Sequence, residues 1–141
     1  MGNQVDCIKG GTHSDHRGTL SFVNDFDMSQ VKRFYRIRHN DTAFIRGWRA
    51  HRIEQRWFHV IEGGFKINLV QIDDWTKPSP ALSQQEFVLQ AADNVVLHVP
   101  KGYASAICAI KADSEVMVFA DYSIEHAKND DILFPIDYFK A

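Results

Sequence analysis

This chain of 141 residues has no long hydrophobic run, only two cysteines and no strong excess of either charge. No apolar run approaches the ~20 residues of a membrane-spanning helix, so we expect no membrane segment. The net charge is −2, with acids and bases mixed along the chain, which argues against nucleic acid and anionic membranes as partners. Cys7 and Cys108 lie far apart without metal-site spacing, so we expect two free thiols.

The first residues, MGNQVDCIKGG, lack an apolar core, so we expect no secretion signal. Together with the free thiols, this favours a cytoplasmic location. Hydrophobic residues nevertheless make up 45% of the chain, enough for a packed interior. No repeat, linker or low-complexity segment interrupts the chain, so we predict one domain over residues 1–141.

Short β-rich runs, such as TLSFV, FKINLVQI and EVMVFADYS, recur along the chain and are separated by turn residues. This spacing, with no long helical period, predicts an all-β sandwich or barrel. In FKINLVQI, Phe65, Ile67 and Leu69 alternate with Lys66 and Asn68, which predicts a strand with one buried and one wet face. We expect EGGF (residues 62–65) to form a tight hairpin, since glycine adopts positive φ without steric cost. A barrel-like sandwich of this size can hold one small ligand in its mouth.

One stretch, FIRGWRAHRIEQRWFHVIEGGFKINLV, carries a periodic set of large polar and aromatic side chains. The set occupies odd positions: Arg49, His51, Gln55, Trp57 and His59. Along an extended chain these side chains share one face, and we expect the two strands that carry them to pair with each other. This face either lines a binding site or is exposed to solvent. We expect it to line the ligand cavity of the sandwich.

Several motifs recur in the order and spacing of a known family. They are DHRGTL (15–20), KRFY (32–35), RGWR (46–49) followed by Gln55 and Gly64, PKGYAS (100–105) and DDILFPIDYF (130–139). Over roughly residues 12 to 139 the chain resembles the sugar-nucleotide branch of the cupin superfamily. The most similar members are the dTDP-4-dehydrorhamnose 3,5-epimerases and the dTDP-4-oxo-6-deoxyhexose 3,4-ketoisomerases. The resemblance implies a cupin double-stranded β-helix, jelly-roll-like, made of two antiparallel sheets, a homodimer and a nucleotide-sugar ligand.

The catalytic positions of these families are mostly substituted here. Arg49 stands where the epimerases have their basic histidine, and arginine cannot act as a base near neutral pH. By the same resemblance, Trp57 replaces a lysine, Ser105 a second histidine, and Met117 falls near the tyrosine acid. His51 matches the second histidine of the ketoisomerase His-Ala-His motif. Metal-binding cupins use several of these positions as ligands, so the substitutions predict no metal, and the implied chemistry needs no cofactor.

The remaining side chains define a candidate catalytic set. His51 is the candidate base, because a neutral imidazole is available near its ordinary pKa of ~6.5. Arg49 is the candidate group that polarises the ketone or holds the enolate, and Tyr35 is the candidate acid. The alternative is that His51 and Arg49 line the cavity without chemistry.

A second set is predicted to bind the substrate. Arg46 and Arg33 are candidates for binding a diphosphate, and the alternative for Arg46 is a surface salt bridge. The other candidate binding residues are Gln55, Trp57, His59, Tyr103 and Ser105. For His59 the residue pattern favours a satisfied core histidine over a binding role. We expect Glu54, His13, His16, His39 and His126 to face solvent, and Asp15 and Arg17 to close a structural turn.

Three functions are compatible with these residues. The first is an isomerase or epimerase that removes a proton beside the ketone of a nucleotide-activated 4-keto-6-deoxy sugar. The second is a binding cupin that keeps the sugar or nucleotide pocket and has lost the catalyst. The third, a metal-dependent cupin, is disfavoured by the substituted ligand positions.

Overall fold

The computed structural model describes residues 4–140, and strands make up most of its secondary structure. The strands are β1 (Asp6–Lys9), β2 (Gly11–Asp15), β3 (Gly18–Phe22), β4 (Arg33–His39), β5 (Ile45–His51), β6 (Arg56–Glu62), β7 (Gly64–Gln71), β8 (Gln84–Gln90), β9 (Val95–Val99), β10 (Tyr103–Ala109), β11 (Ser114–Ala120) and β12 (Ile132–Leu133). A short helix, α1 (Ile124–Ala127), precedes a 3₁₀ turn at Lys128–Asp130, and another such turn spans Ala91–Asp93. Between residues 4 and 140, no helix is long and apolar enough to cross a membrane.

Two five-stranded antiparallel sheets form the body of the fold. The first sheet has the order β1-β9-β6-β11-β4, and the second has the order β12-β5-β10-β7-β8. The hairpin of β2 and β3 forms a separate two-stranded sheet. From β4 to β7 the chain alternates between the two large sheets, as a jelly-roll winding requires. The predicted all-β cupin sandwich is therefore confirmed.

The main core fills the space between the two sheets. In β7, Phe65, Ile67 and Leu69 are fully buried, while Lys66 and Asn68 on the opposite face are only partly buried. The first sheet contributes apolar side chains such as Phe58 to the same cluster. This period-2 burial is what the alternation in the sequence predicted for a strand with one face in the core.

A second apolar layer covers the outer face of the second sheet. Trp48 of β5 packs against Phe139, with ring centroids 5.1 Å apart, and its indole Nε1 donates to the carbonyl of Ile136 at 3.0 Å. The C-terminal segment therefore lies on the back of β5. This packing leaves the inner face of β5 to the space between the sheets.

Two predictions about strand pairing were wrong. The EGGF turn does not form a hairpin, because Gly63, at φ +66°, joins β6 of the first sheet to β7 of the second. Likewise, β5 and β6 belong to different sheets, and residues 52–55 carry the chain across the core between them. In this winding a tight turn moves the chain to the other sheet instead of returning it along the same one.

An irregularity in β5 sets the direction of two arginines. Along β10, Ser105 pairs with Arg49 and Ile107 pairs with Arg46, so three steps on β5 match two steps on β10. The extra residue is a bulge, which shifts the alternation of side chains. Gly47 lies inside it, where a Cβ would sit 2.6 Å from Cα of Ala106. The close approach requires glycine, and both arginines reach the inner face of the sheet.

Candidate active site

A cavity of about 350 Å³ lies between the two sheets, below α1 and the turn that follows it. It is lined by Arg33, Tyr35, Ile37, Arg46, Arg49, His51, Arg56, Phe58, Ser105, Ile107, Ile124, Ala127, Lys128 and Asp131. The lining includes four arginines and one lysine but a single carboxylate, that of Asp131. The cavity is thus strongly cationic and suits an anionic ligand.

His51, the last residue of β5, is 6% exposed and lines this cavity. Its Nδ1 lies 2.8 Å from the main-chain carbonyl oxygen of Asp130. Because a carbonyl only accepts, Nδ1 of the neutral ring carries the hydrogen and Nε2 carries the lone pair. Nε2 is buried and has no hydrogen-bond partner among the described residues. Burial, and next the positive charge of Arg56, lower the pKa of His51, so the ring is held neutral.

Asp130, which the sequence interpretation did not single out, fixes the loop beside His51. Its buried carboxylate accepts hydrogen bonds from the backbone N–H groups of Arg52, Ile53 and Glu54, at 2.7–3.1 Å. Asp130 therefore fastens the crossing between β5 and β6 through its side chain and orients His51 through its main chain. The one signal in the sequence was the DDILFPIDYF ending, quoted there only for its resemblance to the ketoisomerases.

Arg49 lies two residues before His51 and also lines the cavity. Its guanidinium forms an ion pair with Asp131, with Nη1 2.5 Å from Oδ2. Both side chains are about one-third exposed, at 38% and 31%. The other carboxylate oxygen of Asp131, Oδ1, is buried and has no partner within residues 4–140. Arg49 thus reaches the cavity, as predicted, but its charge is already paired with an acid.

Glu54 was predicted to face solvent, and that prediction was wrong. The residue is 2% exposed, and its carboxylate is held by Arg56 at 2.6 Å and Arg33 at 3.3 Å. Two cations compensate one buried acid here, which explains why the acid is tolerated inside. Glu54 was missed because its partner Arg33 lies 21 residues away along the chain.

Tyr35 lies against the same two cations. The guanidinium carbons of Arg33 and Arg56 are 5.0 Å and 5.9 Å from the centre of its ring. Burial raises the pKa of Tyr35, while the charge of Arg56 opposes that shift. The phenol is therefore protonated at neutral pH and has a proton to donate. The predicted Tyr35, Arg33 and His51 are thus brought to one cavity.

Two further cations have no acidic partner. Arg46 and Lys128 line the cavity, and neither forms an ion pair with any residue of the described part of the chain. For Arg46, this removes the alternative of a surface salt bridge. Lys128 was not predicted, because it belongs to the turn after α1, in a segment that carried no recognised motif.

Four of the predicted binding residues lie outside the cavity lining. Trp57 stacks on His98 with ring centroids 5.1 Å apart, and Gln55 contacts the same histidine through Oε1 at 2.6 Å. His59 hydrogen-bonds the carbonyl of Val95 at 2.9 Å. Tyr103 belongs to the main core. Ser105, by contrast, lines the cavity.

The expectation of one continuous odd-numbered face was therefore wrong. The odd positions of β5 face the cavity at Arg49 and His51, but in β6 the cavity side is even-numbered, with Arg56 and Phe58. The reason is the crossing at 52–55, which changes sheets and shifts the alternation. Trp57 and His59 consequently face away from the cavity.

His39 is the second wrong prediction of exposure. It is 5% exposed, lies between Phe44 and Phe65, and has no hydrogen-bond partner on either ring nitrogen among residues 4–140. Burial, reinforced by the charge of Arg46, lowers its pKa. His13, His16 and His126 are exposed, as expected.

The turn predicted at Asp15 and Arg17 is present. The carboxylate of Asp15 accepts the backbone N–H of Arg17 at 2.8 Å and forms an ion pair with its guanidinium at 2.7 Å. Both residues flank the tip of the β2–β3 hairpin, away from the cavity. No group of three or more His, Cys, Asp or Glu within residues 4–140 is arranged to hold a metal ion.

Comparison with known proteins supports the resemblance seen in the sequence. The family model described as FdtA: WxcM-like, C-terminal matches residues 3–139. No curated protein sequence matches the chain. The expected likeness in fold to 3,5-epimerases and 3,4-ketoisomerases is confirmed by solved structures of both.

Three of those structures illustrate the likeness. A dTDP-4-dehydrorhamnose 3,5-epimerase from Bacillus anthracis, with TDP and PPi bound, has a TM-score of 0.74 and 17% identity over 94% of this chain and 79% of its own. A 3,4-ketoisomerase from Helicobacter canadensis has a TM-score of 0.71 and 18% identity, covering 96% and 95%. A mutant of the 3,4-ketoisomerase QdtA from Thermoanaerobacterium thermosaccharolyticum, in complex with TDP-4-keto-6-deoxyglucose, has a TM-score of 0.71 and 21% identity, covering 96% and 91%. At 17–21% identity, these likenesses show a shared fold.

Proposed function

Because the chain belongs to the FdtA family of WxcM-like C-terminal proteins, we propose that it is an isomerase or epimerase that acts on a nucleotide-activated 4-keto-6-deoxy sugar. The observation that carries the proposal is His51, which lines a cationic cavity and whose Nε2 has a lone pair without a partner among the described residues. Structural relatives bind TDP or TDP-4-keto-6-deoxyglucose, which supports this class of ligand.

The proposed reaction begins with proton transfer to His51. Nε2 takes the proton from the carbon next to the ketone, and the electron pair of that C–H bond moves to form an enolate, with negative charge on the ketone oxygen. The cationic lining stabilises this charge, since fixed positive groups in a cavity need no reorganisation. Tyr35, protonated at neutral pH, is the proposed acid. The step uses no metal and no organic cofactor.

The diphosphate is the proposed partner of the unpaired cations. Arg46 and Lys128 line the cavity without acidic partners, so their charges are available to a ligand. Arg33 shares its guanidinium between Glu54 and the carbonyl of Tyr122. Of the predicted pair, Arg46 is therefore the stronger candidate for the phosphates, and Lys128 joins it.

Proton exchange in deuterated buffer tests this function. The protein is incubated with dTDP-4-oxo-6-deoxyglucose, and the C3 and C5 protons are followed by NMR. We expect the C3 proton to exchange. Exchange at C3 alone indicates 3,4-isomerisation, whereas exchange at both C3 and C5 indicates 3,5-epimerisation. His51→Asn, whose amide can still donate to the Asp130 carbonyl, should abolish the exchange. His13→Asn, on the exposed β2–β3 hairpin, is the matched control. Undiminished exchange in the His51 variant would assign the base to another residue.

A second candidate function is a cupin that binds the nucleotide sugar without chemistry. The Arg49–Asp131 ion pair favours it, because a paired arginine is less available to an enolate. Most catalytic positions of the related families are also substituted. Binding of the sugar nucleotide, seen as ligand line-broadening, without exchange of either proton would establish this second function.

The proposed enzyme works as a single domain that assembles as a homodimer in the cytoplasm. The β2–β3 hairpin supports the dimer, because Leu20 and Phe22 on it are 64% and 37% exposed. Leu20 and Phe22 lie two residues apart on β3 and so share one face, and an exposed apolar patch is typical of an interaction surface. In sedimentation equilibrium, the wild type should have the mass of a dimer, and Leu20→Asp should dissociate more readily into monomers. A monomeric wild type would contradict the proposal.

A further inference from the structure

Two unpartnered acceptor atoms belong to residues that line one cavity. Of the described residues, His39, His51 and Asp131 have buried side-chain nitrogen or oxygen atoms without a hydrogen-bond partner. His39 does not line the cavity, whereas His51 and Asp131 do. The proposed function uses Nε2 of His51 but leaves Oδ1 of Asp131 without a role.

The chemistry of Oδ1 limits what can satisfy it. A buried carboxylate oxygen without a donor is costly, and a hydrogen bond to it is stronger than one between neutral groups. An ionised phosphate has no hydrogen to donate and would be repelled by the carboxylate. A hydroxyl group carries a donor and no charge. In a nucleotide sugar the neutral donors lie on the nucleoside and on the sugar ring, and the sugar ring carries most of them.

We propose that Asp131 accepts a hydrogen bond from a ring hydroxyl of the sugar and is thereby a specificity-determining residue of this cavity. The inference rests on the proposed function. It also gives the Arg49–Asp131 pair a role, because Arg49 binds Oδ2 and leaves Oδ1 for the ligand. Arg49 is in this respect a positioning residue.

The main chain around Asp131 holds the carboxylate in place. Asp130, one residue before it, is clamped to the β5–β6 crossing through three backbone N–H groups. After it, β12 pairs with β5, where Ile132 is opposite Ala50 and Leu133 is opposite Arg49. An acceptor held on both sides loses little freedom when the ligand binds, which favours affinity and discrimination.

Calorimetric binding of matched ligands tests the inference. The probes are dTDP-glucose and its 2-, 3- and 4-deoxy analogues, which carry the same phosphate charge and differ by one hydroxyl. We expect the wild type to bind one deoxy analogue about 10-fold more weakly than dTDP-glucose, the effect of losing one hydrogen bond to a charged group. Asp131→Ala should bind that pair equally. Asp137→Ala, an exposed residue of the same C-terminal segment, should keep the wild-type discrimination.

Each outcome separates this inference from the function on which it rests. If the wild type binds dTDP-glucose and all three analogues equally, or if Asp131→Ala discriminates as the wild type does, the inference is wrong and the proposed function stands. If the wild type binds neither dTDP nor dTDP-glucose, both are wrong. Should Asp131→Ala fail to fold, Asp131→Asn replaces it. That variant keeps the size of the side chain and removes the charge, so it should reduce the 10-fold ratio.

Discussion

The main-chain carbonyl of Asp130 lies 2.8 Å from Nδ1 of His51, across 79 residues of sequence. This contact places the hydrogen of the neutral ring on Nδ1, so that Nε2 is the basic atom. The side chain of the same aspartate fastens the loop that follows His51. One residue near the C-terminus therefore supports both the orientation of the candidate base and the backbone beside it.

Removal of this clamp should weaken both stability and chemistry. In Asp130→Ala, the N–H groups of Arg52, Ile53 and Glu54 lose a charged acceptor, and we expect a loss of about 2 kcal/mol in the free energy of unfolding. Urea denaturation measures this loss. With saturating sugar nucleotide, the sugar protons should also exchange with deuterated buffer more slowly than in the wild type. Asp137→Asn, exposed in the same segment, is the control. An Asp130→Ala protein as stable as the wild type would show that water replaces the clamp.

The pH profile of the exchange reaction should be displaced toward acid. A base works in its unprotonated form, and burial lowers the pKa of His51 below its ordinary value of ~6.5. The rate should therefore stay near its plateau to a lower pH than it would with a histidine of ordinary pKa as the base. Because burial raises the pKa of Tyr35, the alkaline decline should lie above pH ~10. NMR titration of the His51 ring checks the assignment, and a midpoint above 6.5 would contradict it.

His39 should make the fold sensitive to acid. Its pKa is lowered in the folded protein, so the unfolded chain binds the proton more readily. Stability is greatest above the unfolded pKa of ~6.5 and is lost as the pH falls from there toward the folded pKa. His51 and His98, whose pKa values are also lowered, contribute in the same direction.

His39→Phe isolates this contribution. The ring lies between Phe44 and Phe65 with both nitrogens unpartnered in the described part of the chain, so an apolar ring suits the site better. We expect about 1–2 kcal/mol of added stability at neutral pH and a smaller loss between pH 6.5 and pH 5. His13→Phe, at an exposed position, should do neither. Thermal unfolding between pH 5 and pH 6.5 measures the stability of each variant. The same loss of stability with falling pH in His39→Phe and His13→Phe would contradict the prediction.

The fold could be predicted from the sequence because its signals are local. Alternation in FKINLVQI gave the buried face of β7, and the apolar character of QRWFHVIE on both sides agrees with the central place of β6 in its sheet. The sheet that the chain enters after a turn could not be predicted in this way. Nothing in EGGF distinguishes a turn that returns along one sheet from a turn that crosses to the other.

The site was predicted where it lies within one strand or matches a motif of the related families. Arg49 and His51 share a strand, and Arg33, Tyr35 and Arg46 belong to such motifs. Trp57 and His59 were misplaced because alternation does not continue through a crossing between sheets. Asp131 and Lys128 were missed because their contacts with the cavity depend on the path of the C-terminal segment, which no local pattern determines.

Glu54 should be one of the most sensitive positions for stability. Its carboxylate is 1% exposed and binds Arg33 and Arg56, whose side chains are 21% and 13% exposed. A neutral side chain at this position would leave these two poorly hydrated cations without a negative charge between them. Loss of one partner of a buried ion pair costs about 3–5 kcal/mol, and we expect Glu54→Gln to lose about 3 kcal/mol in guanidinium denaturation. Glu86→Gln on exposed β8 is the control.

The double variant Glu54→Gln with Arg56→Met decides whether electrostatics is the cause. Methionine removes one of the uncompensated charges and keeps an apolar stem of similar length, so it should recover part of the lost stability. Arg56→Met alone should be destabilising, because it takes one cation from the buried carboxylate. The two single changes would then be strongly non-additive, with a coupling of at least about 1 kcal/mol. Simple additivity would show instead that the Glu54 side chain is needed for its shape, and that the Arg56 charge is compensated by solvent.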